Sequence, residues 1–235
     1  MPVLLSLETS TDVCSVAIHD DGKLLAIAEV HMGQAHAVKL APLIKEVMSM
    51  GNVTMKDLKG VAVSAGPGSY TGLRIGTSTA KGLCYALAIP LYSIGTLDSM
   101  ARQMTGAVIE NAVLCPMIDA RRMEVYCALY SHEGKRLNGV EARVIDEYSF
   151  LDHLDKSRVI FAGNGSDKCR QVITHSSAVF LSGVFPSARE LGALASRKLT
   201  LGEAEDLMLF EPFYLKDFKA KLPANLIAPA VNKPA

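Results

Sequence analysis

Residues 3–30, VLLSLETSTDVCSVAIHDDGKLLAIAEV, decide the fold class. They contain three short apolar or alternating runs, VLLSLE (3–8), VCSVAIH (13–19) and LLAIAEV (24–30). The second and third flank Asp20-Asp21-Gly22, which supplies the turn chemistry of a hairpin. The chain therefore opens as a three-stranded antiparallel meander.

Downstream, Ala37, Leu40, Ala41, Leu43, Ile44, Val47 and Met48 follow helical spacing up to Gly51, with Pro42 expected to bend the helix. A buried strand, VAVSA (61–65), then leads through a glycine-rich turn into a helix from Thr71 to Leu87. The strand PLYSI and a helix from Thr96 to Met104 follow. After Thr105-Gly106 the pattern restarts: NAVLCPMI (111–118), EVYCALYS (124–131), a run near 140–145 and a helix near 147–154. VIFAG (159–163), a helix near 166–174, AVFL and a helix from Ala188 to Leu199 complete it. Two successive β-β-β-α-β-α runs predict an α/β protein of two duplicated lobes, of the ribonuclease H-like or actin-like (ASKHA) kind, with ligands in the cleft between them. The expected divisions are an N-terminal lobe at 1–106 and a smaller lobe at 107–211. An extended, partly disordered tail is expected at 212–235, where Pro212, Pro223, Pro229 and Pro234 fall.

Composition narrows the function classes. The 235 residues carry 24 Lys+Arg against 24 Asp+Glu, so no global field draws the chain to nucleic acid or an anionic membrane. The opening residues lack a basic lead before an apolar stretch, and no apolar run is long enough to span a bilayer, so the cytoplasm is expected. Five widely spaced cysteines without a CxxC pair read as reduced, buried thiols.

The most distinctive segment is GPGSYTGLRIGTSTAKG, residues 66–82. Gly66 and Gly68 free the backbone for an anion-holding loop at a helix start. They serve equally in a tight strand-to-helix turn capped by Ser69 or Thr71. The spacing is not that of a P-loop. Gly72, Gly76 and Ala80 form a stripe of minimal side chains, which fits either a close crossing with another protein or packing on the chain's own sheet. The preceding helix has apolar positions spread too widely for one buried stripe. A protein-binding patch is therefore expected, with Val38, Ala41, Ile44 and Val47 on one helix and Gly72, Leu73, Gly76 and Ala80 on the next.

Each lobe opens with a strand ending in an acid, Glu8-Thr9-Ser10 and Asp119-Ala120-Arg121-Arg122, and no glycine follows either. Glu8, Thr9, Ser10, Asp119 and Arg121, with Gly66, Gly68 and Ser69, read as a degenerate nucleotide cleft. Asp119, Arg121, Arg122 and Glu124 could equally be surface ion pairs. The histidines form no HExxH pair and no other metal site, and His36 is expected to make a local bond at a helix start. No nucleophile elbow or Ser/His/Asp set is present, so no catalytic residue is assigned.

Taken together, LSLETSTDVCSVAI (5–18), GPGSYTGLRIGTSTAKGL (66–83), IPLYSIGTLDSMA (89–101), MIDARRMEVYCALY (117–130), GNGS (163–166) and PFYLKDF near the end resemble the bacterial TsaB proteins, also called YeaZ. The resemblance implies an actin-like fold and a part in making N6-threonylcarbamoyladenosine in tRNA. It implies a required partner of the TsaD transferase and the TsaE ATPase rather than an enzyme. The chain would be a homodimer when alone, would meet tRNA only through the complex, and would bind no cofactor, ATP and metal being used by the partners. The contact would be a four-helix packing through helices 36–50 and 71–87. In TsaD the stretch matching Gly95-Thr96-Leu97-Asp98-Ser99-Met100 reads N-H-L-E-G-H and binds the catalytic metal. Here Thr96 and Met100 stand at the two histidine positions, and neither replaces an imidazole. Two competing readings remain: a self-sufficient ATP-using enzyme or glycoprotease-like metallopeptidase, and a tRNA-binding module using Lys216, Lys219 and Lys221.

Overall fold

The structure, a computed structural model, describes residues 2–33, 36–106 and 111–216. The opening meander forms as expected: β1 (Val3–Glu8), β2 (Val13–Asp20) and β3 (Lys23–His31). Asp21 and Gly22 both take positive φ at the β2–β3 turn, matching the twist of the hairpin. Helix α1 (His36–Met50) leads to β4 (Leu58–Gly66), α2 (Tyr70–Leu87), β5 (Leu91–Gly95) and α3 (Thr96–Thr105). The second half supplies β6 (Val113–Asp119), β7 (Glu124–Cys127), β8 (Glu141–Val144), α4 (Leu151–Leu154), β9 (Val159–Ala162), α5 (Ser166–Cys169), β10 (Ala178–Leu181) and α6 (Ala188–Leu201).

Two five-stranded sheets result, β3-β2-β1-β4-β5 and β8-β7-β6-β9-β10. In each, the first three strands run antiparallel and the last two join parallel to the first, with Leu5 facing Ile18 and Val61, and Ile118 facing Tyr126. The same order twice in one chain is the duplicated actin-like architecture. Parallel addition of β4 and β5 requires crossover helices, which α1 and α2 supply.

Helices α1 and α2 cover one face of the first sheet. Leu40, Ile44 and Val47 pack with Leu5, Leu7, Val16, Val61, Val63 and Ala80. Each fully buried aliphatic side chain contributes about 1.5–3 kcal/mol. Cys115, Met117, Val125, Phe150 and Phe161 fill the second lobe. A third cluster joins the lobes: Leu97, Met100 and Met104 of α3 meet Leu114, Ile118, Tyr130 and Ile160. All five cysteines are free and buried.

Three details depart from the sequence reading. Helix α6, expected in the 107–211 lobe, instead crosses back and packs Leu191 and Ala195 on Leu4, Ala62, Tyr92 and Ile94, the other face of the first sheet. The close approach needs Gly192, where a Cβ would overlap the buried His19 ring. The second-lobe helices shrink to single turns. Asp146 accepts from the Tyr148 N–H and the Ser149 hydroxyl, and Phe150 takes φ 67°, which keeps a helix from starting earlier. The expected tail divides: residues 212–216 have no regular structure but are anchored, with Phe213 N–H donating to Ala65 O at 2.7 Å and Tyr214 packed on Tyr70. Residues 217–235, with Lys219 and Lys221, lie outside the described residues.

Candidate functional site

The acid at the end of β1 is sealed in. Glu8 is fully buried; its Oε1 accepts from Ser10 N–H at 2.6 Å and its Oε2 has no hydrogen-bond partner among the described residues. Burial pushes its carboxyl above the usual range, opposed by the hydrogen bonds from Ser10. Thr9 and Ser10 are equally buried. What covers them is the glycine-rich turn. Ser69 N–H donates to Ser10 O at 2.6 Å, and Gly68 lies so close that a Cβ would overlap the Ser10 carbonyl. Gly66 has φ 103°, open to glycine, and faces the Phe213 carbonyl. Ser69 is the N-cap of α2, accepting from Gly72 N–H at 3.3 Å. Glu8, Thr9, Ser10, Gly68 and Ser69 are thus brought together, but against one another. The tight-turn reading holds for this segment.

The small-residue stripe also faces inward. Thr9 Oγ1 donates to Gly72 O at 2.8 Å, and a Cβ at Gly72 or Gly76 would overlap Thr9. Leu73, Ala80, Ile44 and Val47 are buried in the lobe as well. Of the eight residues expected at a partner face, Val38 and Ala41 alone point outward; the other six are core, because the packing on Thr9 and the sheet takes that side of both helices. The outward side of the pair carries Val38 (71% exposed), Ala41, Ser78, Gly82 and Tyr85 (80% exposed). His36, expected to bond locally, reaches across to donate from Nε2 to Thr11 O at 2.6 Å, tying α1 to the β1–β2 turn.

In the second lobe Asp119 is exposed. Its N–H donates to Asn164 Oδ1 at 3.0 Å, its Oδ1 accepts from Arg121 N–H at 3.1 Å, and its carboxylate pairs with Lys168. Lys168 also holds Arg122 O at 2.6 Å and Glu124 O at 2.7 Å, bracing a turn in which Arg121 and Arg122 take φ 71° and 50°. Lys216 pairs with Glu124. The acids of this turn are thus ion-paired, but with Lys168 and Lys216 and, among the described residues, not with Arg121 or Arg122. Among the described residues no hydrogen bond or ion pair joins it to Glu8 or Ser10.

Thr96 and Met100 are buried, with Met100 in the cluster between lobes. Among the described residues no three His, Cys, Asp or Glu side chains gather as a metal site. Beside α3 a cavity of about 310 Å³ opens between the lobes, lined by Gly66, Pro67, Gly95, Leu97, Asp98 and Arg136 among others. Sequence reading missed Asp98, Tyr130, Arg136 and Phe213, which the fold brings to this cavity, and Lys168, which it brings to Asp119. Among the described residues no helix is long and apolar enough to cross a membrane.

The family model described as TsaD, tRNA N6-adenosine threonylcarbamoyltransferase, matches residues 30–224. The tRNA threonylcarbamoyladenosine biosynthesis protein TsaB of Escherichia coli K12 is 27% identical over 94% of this chain and 99% of its own. The TsaB of Bacillus subtilis 168 is 27% identical over 91% and 93%. The solved structure of YeaZ from Pseudomonas aeruginosa superposes with a TM-score of 0.76 at 26% identity, covering 92% of this chain and all of the other. The duplicated topology and these likenesses converge: the chain belongs to the TsaD family of tRNA N6-adenosine threonylcarbamoyltransferases and, within it, to the TsaB (YeaZ) branch.

Proposed function

We propose that this chain serves tRNA threonylcarbamoyladenosine biosynthesis as a partner subunit that performs no chemistry itself. The pathway is the one its TsaB relatives are named for. The observation that carries the partner role is the closure of Ser69 N–H on Ser10 O, which packs backbone onto the end of β1, where the sequence suggested a nucleotide cleft. A buried Thr96 hydroxyl and Met100 thioether at the transferase's two metal positions support the same reading.

In this account a TsaD-like transferase docks on the outward side of α1 and α2, a TsaE-like ATPase completes the complex, and tRNA is met through them. Without its partner the chain pairs with a second copy through the same face. ATP and metal belong to the partner proteins. Reconstitution tests it: TsaD-like and TsaE-like proteins with the threonylcarbamoyl-adenylate donor should modify tRNA only when this chain is added, and the chain alone should modify none. Full modification without the chain, or modification by the chain alone, would overturn the proposal.

A further inference from the structure

The inter-lobe cavity carries an ion pair that is left incomplete. Asp98, in the first turn of α3, is fixed by the buried Tyr130 hydroxyl, which donates to Oδ1 at 2.8 Å. Arg136, placed by its antiparallel bridge with Tyr130, brings Nε only to 3.8 Å from the same oxygen, too far for a hydrogen bond. Among the described residues nothing donates to Asp98 Oδ2 and nothing accepts a hydrogen bond from the Arg136 guanidinium. Oδ2 lies where a Cβ on Gly95 would overlap it, so glycine at 95 is what lets the carboxylate take this position. Pro67, Leu97, Val140 and Phe213 supply the apolar part of the wall.

We propose that this cavity recognises a small zwitterion of the α-amino-acid class. The ligand's ammonium meets Asp98 Oδ2, its carboxylate takes the Arg136 fork, and a short aliphatic side chain rests on Leu97, Val140 and Phe213. A guanidinium favours a carboxylate because two parallel N–H groups match its two oxygens. A ligand carrying one charge engages only one of the two protein groups and forgoes the charge-assisted hydrogen bonds of the other. At about 310 Å³ the volume stands at the low end of small-molecule sites, roughly 300–1,000 Å³, and has room for one amino acid. The inference does not rest on the partner role and survives if that role fails.

Calorimetric titration of the full chain with L-valine, isobutylamine and isovalerate is the test; the last two each keep one of valine's charges. Valine is expected to bind with a dissociation constant at or below about 1 mM, and each single-charge analogue at least tenfold more weakly, about 1.4 kcal/mol. Arg136→Gln should weaken valine at least tenfold and leave the melting temperature unchanged, since Arg136 is half-exposed. Asp98→Asn, which still accepts from Tyr130, should do the same. No saturable valine binding, equal binding of the analogues, or unchanged valine binding by a folded Arg136→Gln variant would overturn the proposal.

Discussion

Thr9 stands directly beneath α2, its Oγ1 donating to the Gly72 carbonyl at 2.8 Å in a layer where neither residue is open to solvent. The relationship explains why the first lobe needs small residues at 72 and 76: the helix backbone rests on the end of β1, and a Cβ at either position would occupy Thr9. It also turns the stripe from a partner face into part of the fold.

Gly76→Leu should therefore destabilise the monomer. Overpacking costs about 1–3 kcal/mol, offset in part by about 1 kcal/mol of added helix propensity. At about 2–4 °C per kcal/mol for a chain of this size, a thermal melt resolves the difference. An unchanged melting temperature with lost association would reverse the assignment.

Glu8 gives stability an unusual pH dependence. Its folded-state carboxyl titrates above the unfolded value because burial penalises the charge. Its contribution is thus fully present below the ordinary carboxylate range and is lost as pH rises through the folded value. Glu8→Gln removes this dependence. The variant should gain stability relative to the parent between pH 5 and pH 8, read from urea midpoints, and a parallel pair of profiles would contradict the account.

His19 works in the opposite direction. Burial lowers its pKa, outweighing the hydrogen bond from Nε2 to Arg189 O at 2.8 Å. Stability from the neutral ring is present above the ordinary histidine range and falls as pH drops toward the folded value. His19→Gln should flatten the urea-midpoint profile between pH 7.5 and pH 5. Because Gly192 packs on this ring, Gly192→Ala should cost about 1–3 kcal/mol of stability by overpacking at any pH in that window. An unaltered slope in His19→Gln counts against the buried neutral ring.

The meander, the crossover helices and the repeat of the pattern were legible because strand alternation and helical spacing report burial on one face. Periodicity does not report which neighbour covers that face. The spacing of Gly72, Gly76 and Ala80 announced a close approach but not that Thr9 makes it. Ile44 and Val47 read as surplus apolar surface from spacing alone, whereas the first sheet lies beneath them. Helix α6 was found in sequence but not its return to the first lobe; Gly192 inside its apolar pattern was the one local signal. Asp98 and Arg136 are far apart in sequence, and only the packing of α3 on the second lobe joins them.

The central claim is that the outward side of α1 and α2 binds the partner. Val38 and Tyr85 are exposed on it, so a Val38→Glu/Tyr85→Glu double variant places two charges in the proposed contact without touching the core. Sedimentation velocity with a TsaD-like protein measures the outcome. The account predicts at least tenfold weaker association, about 1.4 kcal/mol, with the melting temperature of the free chain unchanged; undiminished association of the folded variant would contradict it.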